Sequence, residues 1–376
     1  MNRKKALFCY EMKNMVWFLL LGLLGAVAAA FTLRMSMAYI FQKMHGIGIY
    51  SYSSSGYMVQ GSPFAANLVG VLRGIVVACL FGFALMSFMQ FSDLQSRKKR
   101  EYLSSLPFSQ NEKFCMKVIV SYGMITLCWL VLSVLVIGIR LKYQPQIIKN
   151  NVLSLSFRQF MGADTMWHTI RSLLLCWLTL LAMYSIYMAV HYLVRSSLVA
   201  SLIGACAMYY PVFVISVVPI NFLAYSGNTE KRIMSVLYRA QRYTRMFFGS
   251  GLGYVYGNNG FEYRYEPLGA DKMLVGDGSF YTVSYGKVWL SVLILVVLMV
   301  GCTLLAWWVN KHQDLAKINR MVPTKAGRIG LSFGISTAIG SVAISMFSIS
   351  EMTVAIGIWL LVSVIVYFIC QKILKK

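Results

Sequence analysis

Side chains able to do chemistry are few in this sequence, and they are scattered. The four histidines, His45, His168, His191 and His312, lie far apart, and no CxxC pair occurs among the eight cysteines. A structural metal site needs three or four such ligands brought together, and this spacing offers none. No GxxxxGK[ST] loop is present to cradle nucleotide phosphates, and Gly251-Leu252-Gly253 is not followed by a helical pattern. Carboxylates cluster only at Glu262, Glu266, Asp271 and Asp277, in a polar stretch where solvation accounts for them. No constellation for acid–base, nucleophilic or metal-assisted catalysis emerges, and the chain reads as a non-enzyme. Two features stand apart. Arg34, Arg73 and Arg171 fall inside apolar runs, and Arg97-Lys98-Lys99-Arg100 opens a dense basic stretch. A guanidinium in hydrocarbon either snorkels to the headgroups or meets an anionic partner, so the three arginines are candidates for an outer cationic mouth.

The elements that must position these groups are apolar helices. Of 376 residues 58% are hydrophobic and 12% charged, about half the charged share of a soluble domain. The apolar residues come in blocks of about 20, the length that crosses a hydrocarbon core of roughly 30 Å. The blocks predict an all-α polytopic integral membrane protein with about eight transmembrane helices. They fall near 15–33 (with apolar character to Phe41), 67–91, 117–139, 167–194, 197–222, 287–309, 329–349 and 352–370. Ala26-Val27-Ala28 has the small-residue pattern of a signal-peptidase site, but the apolar run continues past it, so the first helix is read as retained. Pro211 and Pro219 would kink the fifth helix. Gly22, Gly25, Gly330, Gly334 and Gly340 would permit close helix packing.

Charge sets the orientation. The net charge of +23 resides in short runs flanking the apolar blocks, which suits anionic lipid and excludes a nucleic-acid partner. With the start of the chain inside, the inner segments hold far more Lys and Arg than the short outer loops, which carry Lys43, Arg140, Lys142, Lys149 and Arg158. Both termini are therefore expected in the cytoplasm, in a plasma membrane, and the lack of an N-x-[ST] sequon is compatible with a bacterial origin. Residues 1–14 form a cytoplasmic amphipathic start and 371–376 a basic cytoplasmic tail. The long outer segment 223–286 has two parts. Residues 229–248 read as an amphipathic interfacial helix with Arg232, Arg239, Arg242 and Arg245 among its cations, and 254–265 read as a small β-hairpin turning at Asn259-Gly260.

The loop 93–116 is the most informative stretch. Pro107 disfavours helix at Leu106, so a short amphipathic helix should stop there. Ser109 and Glu112 have capping-box spacing and should start the third span. Read alone, this is equally a solvated basic loop. With its Ser105-Leu106-Pro107 centre, however, it resembles the loop between helices two and three in permease subunits of ATP-binding-cassette transporters of the type-two exporter class. In that family the short helix docks on the ATPase, and the order of features over roughly the first 310 residues follows the family's six-helix unit. Gln110 stands where a basic residue is commoner, and helices seven and eight depart from the minimal unit.

The resemblance implies a coupling surface formed by Arg97, Arg100, Glu101, Leu103, Ser104, Leu106, Pro107, Phe108 and Ser109. It implies ATP and Mg on a separate ATPase subunit, no cofactor on this chain, and a second permease in a homo- or heterodimer. The competing class is a secondary transporter or membrane-embedded sensor without an ATPase. An ion-coupled carrier usually places a carboxylate in mid-span, and Asp164 and Glu351 lie at span edges.

Overall fold

The computed structural model describes residues 3–43, 50–53, 56–59, 63–92, 108–153, 166–194, 196–207, 261–262, 282–283, 286–312, 322, 325–346 and 352–375. Eight helices carry the described structure: α1 (Arg3–Lys43), α2 (Pro63–Gln90), α3 (Gln110–Leu153), α4 (Met166–Leu193), α5 (Ser197–Ala207), α6 (Gly286–Lys311), α7 (Lys325–Met346) and α8 (Met352–Lys375). Six of them hold stretches long and apolar enough to cross a membrane, within α1, α2, α3, α4, α6 and α8. The chain is thus an α-helical, multi-pass membrane protein. Most of loop 93–116 and all of the proposed helix 229–248 lie outside the described residues.

Two small antiparallel strand pairs accompany the helices. Tyr50–Ser53 pairs with Gly56–Val59, a hairpin that the sequence reading did not anticipate. Phe261–Glu262 pairs with Thr282–Val283, a longer-range partner than the hairpin arm expected at 254–256, which lies outside the described residues.

The sequence fixes helix direction through a few long-range contacts. Glu11 of α1 meets Lys117 of α3, and the Cys128 thiol of α3 lies 3.9 Å from the Leu19 carbonyl oxygen, so α1 and α3 run parallel. Helices α2, α4 and α6 run the other way. Gln90 closes α2 beside Lys117, Tyr192 near the end of α4 meets Phe114 edge-on, and the Asn310 amide donates to the Gln110 carbonyl at 3.4 Å. Leu374, near the end of α8, packs with Val190, Val194, Ala200 and Val322. The first residues of α1 and the last of α8 therefore share one end of the bundle with the stems of the 93–107 loop, here termed the loop end.

Helix α4 is the axis of the bundle. Of its apolar span 83% is buried, against 17% in α1 and 6% in α8, so neighbours surround it where the others face outward. The outward surface is apolar, with Leu21, Leu24, Phe81, Val134, Phe333 and Phe368 exposed, as lipid rather than water requires. Exposed tryptophans mark both ends, Trp17, Trp307 and Trp308 toward the loop end and Trp167 at the far end, the places where indoles sit at membrane interfaces.

Two helices outrun the bilayer. At 41 and 44 residues α1 and α3 are each about 60–65 Å long, roughly twice a hydrocarbon core. Here the expected end of the third helix at Ile139 is corrected. α3 continues to Leu153 through Pro145, so Arg140 and Lys142 are helical rather than loop residues. Arg140 is 1% exposed, its guanidinium 4.8 Å above the Phe64 ring. A charged residue thus did not end the helix, because it faces inward onto α2.

Helices α7 and α8 form a hairpin of their own. The Trp359 indole donates to Ser341 Oγ at 3.0 Å, and a Cβ on Gly340 would collide with Ser363 Oγ and reach 3.1 Å from the Trp359 carbonyl oxygen. Gly340, with Gly22 against the Cys128 thiol, thus allows the close approach expected of it, whereas Gly25, Gly330 and Gly334 face open space.

Candidate functional site

The loop 93–107 emerges from two stems, the end of α2 and the start of α3, and the described residues show how those stems are held. α3 begins on a reciprocal cap. Ser109 Oγ accepts from the Glu112 N–H at 3.1 Å, and Glu112 Oε2 accepts from the Ser109 N–H at 2.9 Å. Two orphan donors of the first turn are satisfied together, as the spacing predicts. Ser109 is exposed and Phe108 half-buried.

Two turns further on, Lys117 is buried at the junction of three helices. Its ammonium lies 3.2 Å from Glu11 Oε1 of α1 and donates to the Gln90 carbonyl at 2.8 Å, with the Phe91 ring centroid 5.7 Å away. That carbonyl belongs to the last residue of α2, and the last turn of a helix is where carbonyls call for donors from outside it; a lysine of α3 supplies one. The exchange is reciprocal. Gln90 Nε2 donates to the Lys117 carbonyl at 3.0 Å and to Ser121 Oγ at 2.7 Å, and the Tyr184 hydroxyl of α4 donates to Gln90 Oε1. The two charged side chains of the pair are 4% and 3% exposed. Burying charge is affordable only with such full pairing.

An aromatic layer extends the clamp. Phe91 stacks on His191 at 5.3 Å and meets Tyr192 edge-on at 5.4 Å, and Phe114 meets the same tyrosine at 5.4 Å. The Ser201 hydroxyl of α5 lies 3.3 Å from His191 Nε2 and donates to the Ala84 carbonyl at 3.1 Å. The start of α3 and the ends of α2 and α4 are therefore joined around one polar centre, to which α1 contributes its only acidic residue.

Other expected site residues lie elsewhere or outside the described set. Arg97, Arg100, Glu101, Leu103, Ser104, Leu106 and Pro107 of the coupling loop are outside it, as are Arg232, Arg239, Arg242 and Arg245. Arg34 is exposed on α1, whereas Arg73 on α2 and Arg171 on α4 are half-buried. At about 1.5 Å per residue, Arg34 lies about 35 Å along its helix from Glu11, Arg73 about 25 Å from Gln90 and Arg171 about 30 Å from His191. All three therefore sit toward the far end, on three separate helices. Arg140, about 35 Å from Lys117, joins them in height.

Glu11, Gln90, Lys117, Ser121 and Tyr184 escaped sequence reasoning. The available signal was an isolated acid in an otherwise basic leader, together with Lys117 and Ser121 one turn apart on a single face. The described residues contain no group of three or more His, Cys, Asp or Glu side chains able to hold a metal ion, and the eight cysteines are free thiols. No protein-family model, curated protein or solved structure matches the chain.

Proposed function

We propose that this chain is the membrane-spanning permease subunit of an ATP-driven exporter of the ATP-binding-cassette type. In this reading eight segments cross a bacterial plasma membrane, the fifth running over 197–222 beyond the described end of α5, the loop end faces the cytoplasm, and a separate subunit binds and hydrolyses ATP with Mg. A second permease, identical or related, completes the pathway. The observation that carries this reading is the clamp at the base of loop 93–107. A loop that only obeyed the positive-inside rule would need no buried ion pair at its root. A loop that receives a push from a partner needs its two stems joined to each other and to the bundle.

The test is a mild-detergent pull-down of the tagged chain from native membranes, beside an L106D/F108D variant, with partners identified by mass spectrometry. The expected result is an ATP-binding-cassette ATPase recovered with the wild type and lost with the variant. Well-folded wild-type protein that recovers no ATPase would overturn this function in favour of a secondary transporter or membrane sensor.

A further inference from the structure

We infer that the Glu11–Lys117 pair, closed over the Gln90 carbonyl, is a positioning latch that makes the start of α1 move as one body with the two stems of the coupling loop. The role within transport rests on the function proposed above, whereas the rigid link is a property of this chain alone.

The argument begins from cost. A buried ion pair is seldom the most stable filling for its space, since well-packed apolar side chains of similar volume serve as well or better. What a buried pair specifies is register: one partner fits one place, and sliding a helix by a turn leaves two charges uncompensated. Here the pair joins residues 106 positions apart in the chain, on the two helices that run parallel at the loop end. The same ammonium also satisfies the last turn of α2. Three helices therefore cannot shift independently without exposing Glu11, Lys117 or Gln90 to an apolar surrounding. Load applied to loop 93–107 reaches α1 through this contact, although α1 is not connected to the loop through its own chain ends. A purely packed interface of leucines would let α1 lag behind, because ridges and grooves repeat at every turn.

The molecule carries its own reporters. Cys9 is two residues before Glu11 and Cys115 two before Lys117, and both are exposed. With the third exposed thiol removed by C206S, a polar nitroxide reagent labels these two sites. Pulsed electron paramagnetic resonance on the full chain in lipid nanodiscs then reads the distance between α1 and α3 across the latch. The parent should give one narrow distance peak, unchanged when the ATPase subunit and Mg·ATP are added. E11Q and K117M should each lose that single peak. The double variant E11Q/K117M should be no broader than either alone, because both changes remove the same pair. E11Q should still recover the ATPase in the pull-down, with nucleotide-driven stimulation of that ATPase lost, and E11K/K117E should bring both the peak and the stimulation back toward the parent.

Should K117M not accumulate as folded protein, E11Q and the charge swap carry the comparison. Narrow peaks in the single variants, or additive broadening in the double one, would overturn the latch. Loss of ATPase recovery in E11Q would also overturn it, since the pair would then belong to the docking surface. A wild type that recovers no ATPase removes the transport setting, and the peak widths of the chain alone still decide whether the rigid link exists.

Discussion

At the scale of single residues, what could be read in advance was what is local. Ser109 and Glu112 are three apart, and their reciprocal bonds form as the spacing requires. Replacing Ser109 by Ala should cost about 1 kcal/mol at the start of α3. Hydrogen exchange should show it as roughly five-fold faster exchange in the first turn, residues 110–113, with the rest of the helix unchanged. An unchanged first turn would mean that the cap contributes nothing. Glu11 and Lys117 were illegible for the opposite reason. Each has an ordinary local setting, an acid among basic residues and a lysine at the mouth of an apolar run. Only the parallel docking of α1 on α3 brings them to 3.2 Å. No pattern in either helix encodes the other's register. Gln90 was hidden likewise, since an amide at the end of an apolar block reads as an interface residue until its carbonyl is found under Lys117.

At the scale of elements, apolar periodicity located the helices, and charge misplaced one of their ends. Polar residues after Ile139 read as a loop, yet the helix persists to Leu153 with one face inward: Arg140, Tyr143 and Ile147 are buried while Leu141 and Lys142 are exposed. That three-to-four-residue alternation is the helical period itself, visible only once charge is allowed on the inner face. A cysteine scan from 140 to 147 checks it. Introduced at Leu141, a thiol should label readily with an aqueous maleimide. Introduced at Tyr143 or Ile147 it should label several-fold more slowly, and uniform labelling across the segment would restore the loop reading. The overlength of α1 and α3 is of the same kind, since an apolar window reports where a helix is oily and not how far it continues in water.

At the scale of the whole molecule, alternation of helix directions puts the start of α1, the stems of the loop and the last turns of α8 at one end. The sequence reached the same arrangement through the distribution of lysine and arginine, a signal independent of packing. Which side of the membrane this end faces is checked with the native thiols. A membrane-impermeant maleimide should leave Cys9 and Cys115 unlabelled in intact cells and label both in inverted vesicles, and the reverse pattern would place the loop end outside. The unequal burial of the helices has a further consequence, for tolerance to change. On α4 almost every position has a protein neighbour, so exchanging Leu for Ile or Tyr for Phe must be answered by a second change somewhere across the bundle. On α8 the outward positions answer only to lipid, which accepts any apolar side chain, so they are free to drift singly. In any library of variants of this chain, substitutions on α4 should therefore survive in correlated pairs and those on the outer face of α8 one at a time.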